Sequence, residues 1–132
     1  MQFMMVVKSS GDCEAGRRRS DEVRASIGNY TQELRQAGAL VELSRLHPSS
    51  KGARVKFSNG VRSVTDGPFA ETKELIGGFW IIDAKSMEEA VAWAKRVPFA
   101  HGQSGEIEIE VRQFLEVEDC LPIPPIHRAA GL

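Results

Sequence analysis

The chain has 132 residues, 42% of them apolar and 27% charged, which suits one domain able to bury its own core. Its 17 basic and 18 acidic side chains leave a formal net charge of -1, a balance that argues against a nucleic-acid-binding field. No apolar run nears the roughly 18 residues of a membrane span. The first residues also lack the basic, apolar and small-residue regions of a signal peptide, so a cytoplasmic protein is expected.

Residues Gln2 to Lys8 form a short apolar run with β-branched content, which predicts a buried strand. Ser9 to Arg19 is polar and holds two glycines, which predicts a loop. Arg17, Arg18 and Arg19 lie beside Asp21 and Glu22 and read as solvated charge. Ser20 is placed to cap a helix, with Asp21 and Glu22 favoured in its first turn by the macrodipole. Val23, Ile27, Tyr30, Leu34 and Ala37 then recur at steps of four and three, one helical stripe. Gly38 suits a left-handed cap.

Leu40 to His47 predicts a second strand, with Val41, Leu43 and Arg45 on one face. Arg54 to Ser58 and Val61 to Thr65 predict a hairpin around Asn59-Gly60, a dipeptide that favours the type I′ turn. The Asp66 loop follows, then a helical turn over Glu71 to Ile76 and an apolar strand from Gly78 to Ala84. Ser86 and Glu89 have the spacing of a capping box. Met87, Ala90, Val91, Ala94 and Val97 form the stripe of the second helix, which Pro98 stops. Glu106 to Phe114 alternates strictly, with Ile107, Ile109 and Val111 on one side, as a half-exposed edge strand does. A Pro-rich extended tail closes the chain. The expected division is a domain over residues 1–115 and a tail over 116–132.

The order of elements is β-α-β, a hairpin insertion, then β-α-β. Two split βαβ units of this kind predict an α+β, ferredoxin-like sandwich. In that fold the helices cover one sheet face only. Phe79, Trp80, Ile81 and Ile82 are apolar on both faces, so a second copy of the chain is expected on the other.

Chemistry concentrates in Asp66-Gly67-Pro68-Phe69. Pro68 fixes its own φ, and Asp66 ahead of it suits an Asx turn onto the amide of Phe69 or Ala70. The alternative use of Asp66 is as a general acid or base at the mouth of an apolar cavity. Phe69, Glu71, Lys73 and Trp80 are the expected ligand-binding neighbours. His101, in the loop entering the last strand, is a further catalytic candidate as partner to Asp66. His47, His101 and His127 are widely spaced, and Cys13 and Cys120 carry no metal-ligand spacing. No metal or cofactor is expected, and both cysteines read as free thiols.

Asp66-Gly67-Pro68-Phe69, followed by Glu71, Lys73-Glu74 and Gly77-Gly78-Phe79, resembles the signature of the DGPF family, part of the bacterial YCII-related superfamily. The resemblance extends from Phe3-Met4-Met5 through Glu33-Leu34 and Ala37-Gly38 to Ile107-Glu108-Ile109. It implies a ferredoxin-like fold that dimerises into an α/β barrel. Most members have no assigned reaction, and some are fused to or encoded beside sigma factors. Related YciI-type proteins are credited with a His–Asp pair whose histidine lies early in the chain, and one relative removes chloride from a hydroxylated aromatic ring. Here the first histidine is His47, so only Asp66 and its loop carry over by motif. Two readings result. One is an enzyme that moves a proton on a small aromatic or enol-type molecule through Asp66. The other is a non-catalytic ligand-binding or regulatory dimer, linked to sigma-factor-type transcription regulation.

Overall fold

The computed structural model describes residues 1–8, 20–70, 75–99 and 107–116. Cys13, Arg17 to Arg19, Glu71 to Glu74, His101, Glu106, Cys120, His127 and the Pro-rich tail lie outside the described residues. The elements in chain order are β1 (Gln2–Lys8), α1 (Asp21–Gln36), β2 (Leu40–Arg45), a 3-10 turn (Ser49–Lys51), β3 (Ala53–Ser58), β4 (Val61–Asp66), β5 (Ile76–Asp83), α2 (Met87–Lys95) and β6 (Ile109–Gln113).

Both helices start where local chemistry says they should. The Ser20 hydroxyl accepts the Val23 amide at 3.2 Å, satisfying a donor that the first helical turn leaves open. At the other end Gly38 has φ +71°. Its amide and that of Ala39 donate back to the Arg35 and Leu34 carbonyls at 3.1 and 3.0 Å, a Schellman closure. In α2 the Ser86 hydroxyl accepts the Glu89 amide at 3.2 Å. The Glu89 carboxylate reaches one residue further back than expected and takes the Lys85 amide at 3.4 Å.

The strands form a four-stranded antiparallel sheet in the order β2-β5-β1-β6, and β3-β4 stand apart as a two-stranded sheet. Each helix joins two strands that have a third between them. This α+β arrangement is compatible with a ferredoxin-like sandwich. β6 lies at a sheet edge, as its alternating pattern predicts.

Register decides which residues meet the helices. Phe3 pairs with Ile82 and Gln113, Met5 with Trp80 and Val111, and Val7 with Gly78 and Ile109. This face carries the core, with Tyr30 and Leu34 of α1 and Ala90 of α2 buried on it. Phe3, Met5, Leu34 and Ile82 are completely buried. Burial of such a side chain contributes about 1.5–3 kcal/mol.

Two sequence expectations shift here. A register irregularity between Leu40 and Glu42 puts Leu40 opposite Ile82, so Val41 drops out of step and is exposed. In α2, Met87 is exposed and Trp93 joins Ala94 and Val97 against the core. The Trp93 ring stands edge-on to Tyr30 at 6.2 Å, and the Tyr30 hydroxyl donates to the Trp93 carbonyl at 2.6 Å, tying α1 to α2. No helix among the described residues is long and apolar enough to cross a membrane.

Neither of the two described helices lies over the other sheet face. Met4 pairs with Ile81, and Val6 with Phe79. Met4, Phe79 and Ile81 keep part of their surface exposed, so an apolar strip runs across the two central strands.

Candidate functional site

The Asp66 loop begins where the β3-β4 hairpin ends. Asn59 (φ 50°) and Gly60 (φ 79°) both take positive φ, as the predicted type I′ turn demands, and they set β3 against β4 with Ala53 opposite Asp66. The hairpin's last rung is extended by the Gly67 amide, which donates to the Gly52 carbonyl at 2.9 Å. The Gly67-Pro68 peptide is cis.

The chain then turns against the 3-10 turn. A Cβ at Gly67 would lie 1.7 Å from the Ser49 carbonyl oxygen, so only glycine lets the two backbones meet. Gly67 does not have positive φ; close approach is the reason it must be glycine. The Phe69 amide donates to the Ser49 hydroxyl at 3.1 Å. Ser49 thus holds the amide that the sequence assigns to Asp66. The half-buried Phe69 ring lies under the Arg54 guanidinium, 3.9 Å from its carbon, a cation–π stack on the polar face of the hairpin.

Asp66 is exposed. Among the described residues its carboxylate enters neither an ion pair nor a hydrogen bond, because Ser49 and the backbone fasten the loop. An exposed, uncommitted carboxylate can accept hydrogen bonds from a ligand's hydroxyl or amine.

The expected site residues are brought together only in part. Asp66 and Phe69 share the loop. Glu71, Lys73 and His101 lie outside the described residues. Trp80 stands apart from the loop, buried on the helix-covered face. Its indole N–H points at the Thr31 hydroxyl at 3.4 Å, and its ring meets Tyr30 edge-on at 5.7 Å. Arg54 of β3 and Ser49 of the 3-10 turn contact the loop and are not among the site residues expected from the sequence. The Arg54 position on a hairpin strand is legible, but Ser49 lies 20 residues before the amide it holds and no local signal links them. No cluster of metal-binding side chains occurs among the described residues.

The family model of the YCII-related domain matches residues 1–115. The chain belongs to the YCII-related family. Over 89 residues it is 35% identical to an uncharacterized protein of Rhizobium meliloti (strain 1021), an alignment covering 67% of this chain and 72% of that protein. In this YCII-related chain, the matched region contains every strand and both helices described above.

Proposed function

We propose that this YCII-related protein is a ligand-binding homodimer and that the Asp66 loop is its ligand site. The observation that supports the reading is the free Asp66 carboxylate on a loop whose fastening needs nothing from it. A side chain that only held the loop would be bonded to the loop's amides, and the nearest of these goes to Ser49. Phe69 and Arg54 supply a flat apolar surface and a cation next to it. Together they suit a small aromatic or enol-type molecule that offers a hydroxyl to Asp66.

The dimer buries the sheet face opposite the described helices and closes into an α/β barrel. Its physical reason is the strip formed by Met4, Phe79 and Ile81, which a monomer leaves against water.

A second reading adds turnover. Asp66 is uncommitted, so it is open to accept a proton from an acidic ligand hydroxyl or enolisable carbon and return it. One pair of variants separates the readings. Wild type, Asp66→Asn and Asp66→Ala are screened by thermal shift against hydroxybenzoates and 1,3-dicarbonyl compounds at two pH values. Without ligand, both variants stay within about 0.5 kcal/mol of wild type, as substitutions at exposed, unbonded positions do. With ligand, Asp66→Asn keeps hydrogen-bonding shape but cannot ionise, so it loses the pH dependence of binding. Unchanged fragments with unchanged pH dependence in Asp66→Asn would remove Asp66 from the site. A drop of 0.5–2 kcal/mol in unliganded Asp66→Ala, the ordinary cost of losing a cap, would make it a fastener after all.

A further inference from the structure

Total charge hides a segregation along the chain. Residues 43–65 hold Arg45, Lys51, Arg54, Lys56 and Arg62 and no acid. The other 12 basic side chains share the rest of the sequence with all 18 acids. The net charge of -1 is therefore an average over a cationic segment and an acidic remainder. Four of the five cations lie on or beside the β3-β4 hairpin: Arg54 and Lys56 on β3, Arg62 on β4, and Lys51 in the 3-10 turn at its foot. None of these four has an ion pair among the described residues.

Register sorts the hairpin into two unlike faces. Arg54 lies opposite Thr65 and Lys56 opposite Ser63, so one face presents two cations and two hydroxyls. Val55, Val64, Phe57 and Arg62 lie on the other. Along their strand Arg54 and Lys56 stand about 7 Å apart. The Arg54 guanidinium is held over the Phe69 ring at 3.9 Å, which restrains it before any partner arrives. Every residue of both strands is exposed, and the pair forms a sheet separate from the other four strands.

We infer that the polar face of this hairpin binds duplex DNA, with the ribbon laid in the major groove. Cations and hydroxyls are the side chains that contact phosphate oxygens and the acceptor edges of bases. A B-form major groove is about 12 Å wide and admits a two-stranded ribbon. Other nucleic acids fit this face less well. Single strands are held by cations interleaved with aromatic platforms, and Phe57, the aromatic residue of the two strands, lies on the opposite face. The deep, narrow major groove of A-form RNA shuts out side chains. The inference goes beyond the small-molecule reading of the Asp66 loop and does not depend on it.

The test is fluorescence anisotropy with a labelled DNA duplex about two helical turns long, titrated from about 50 mM to about 200 mM salt. Wild type is expected to bind with a dissociation constant of about 1–100 μM. With Lys51, Arg54 and Lys56 each neutralising one phosphate, log affinity should fall against log salt with a slope of about -2.7. Lys51→Gln combined with Lys56→Gln should bind at least 10-fold more weakly and flatten that slope by about 1.8. Lys85→Gln combined with Lys95→Gln removes the same charge from around α2 and should bind as wild type does. All four lysines are exposed, and circular dichroism and melting confirm that each variant folds. Both pairs leave Arg54, Phe69 and Asp66 in place, so fragment binding at the Asp66 loop is read separately and either reading can fail alone. Equal losses in the two lysine pairs would mean diffuse attraction and remove the hairpin as the site. Tighter binding of a DNA single strand or an RNA duplex of the same length would overturn the groove placement. Absence of duplex binding at about 100 μM protein in the lowest salt overturns the inference outright.

Discussion

Gly67→Ala adds one methyl group at the narrowest point of the loop. The new Cβ would sit 1.7 Å from the Ser49 carbonyl oxygen and 2.6 Å from its carbon. Real contacts of this kind stay above about 3.0 Å, so the two backbones must part by more than an ångström. Neither neighbour is the flexible end of a side chain; both are backbone atoms of the 3-10 turn. The bonds that cross this seam are Gly67 to Gly52 at 2.9 Å and Phe69 to Ser49 at 3.1 Å. A shift of that size takes both beyond hydrogen-bonding range. At about 0.5–1.5 kcal/mol net for each, and with overpacking itself costing about 1–3 kcal/mol, the loss is about 2–6 kcal/mol. For a domain of this length that lowers the melting temperature by about 10 °C. Gly28→Ala is the matched control. Gly28 is exposed within α1, with nothing within 4 Å of its added Cβ. It should gain up to about 1 kcal/mol from helix propensity. Scanning calorimetry reads the totals, and hydrogen exchange at the Gly52, Gly67 and Phe69 amides shows where the loss falls. A Gly67→Ala protein that melts within 2 °C of wild type, with those amides equally protected, would refute the close-approach argument.

Tyr30→Phe removes the hydroxyl that bridges the helices and should cost about 1–2 kcal/mol in denaturant unfolding. Burial pushes the Tyr30 hydroxyl pKa well above its ordinary value of 10, outweighing the opposing pull of Arg96. A raised folded pKa contributes stability that is whole below pH 10 and is lost as pH rises beyond it. Wild type should therefore weaken through that alkaline window, and Tyr30→Phe should lack this component of the slope. At the sheet edge, hydrogen bonds from Arg112 and then Lys8 hold the Glu110 carboxyl below its ordinary range. Its contribution is present above the ordinary carboxylate pKa and fades as pH falls through the lowered value. An NMR titration should show Glu110 returning toward the ordinary range in the Lys8→Ala, Arg112→Ala double variant. No change there would mean that the pairs at 3.3 and 3.1 Å do not persist in solution.

The sequence by itself determined whatever depends on neighbours a few residues apart. Ser20 and Ser86 cap helices because a hydroxyl reaches an amide three residues on. Gly38, Asn59 and Gly60 take positive φ because the cap and the tight turn ask for it there. The order of elements followed from these punctuation marks, and with it the split βαβ arrangement. The Asp66 loop was legible as a place for the same reason. Tertiary structure decided what depends on register and distance. Phe79, Trp80, Ile81 and Ile82 are all apolar, so alternation could not say which two face the helices; pairing with Met5 and Phe3 put Trp80 and Ile82 inward. Thr31 is polar and β-branched and does not advertise burial. Yet its hydroxyl donates to the Ile27 carbonyl at 2.9 Å and remains an acceptor for the Trp80 indole, so it can lie on the buried face of α1 without an unmet donor. Val41 left its predicted face because the ladder slips between Leu40 and Glu42. The loop's fastener changed identity for a like reason. Asp66 is the near acceptor in sequence, but the folded chain brings Ser49 to the Phe69 amide across 20 residues, and that leaves the carboxylate free.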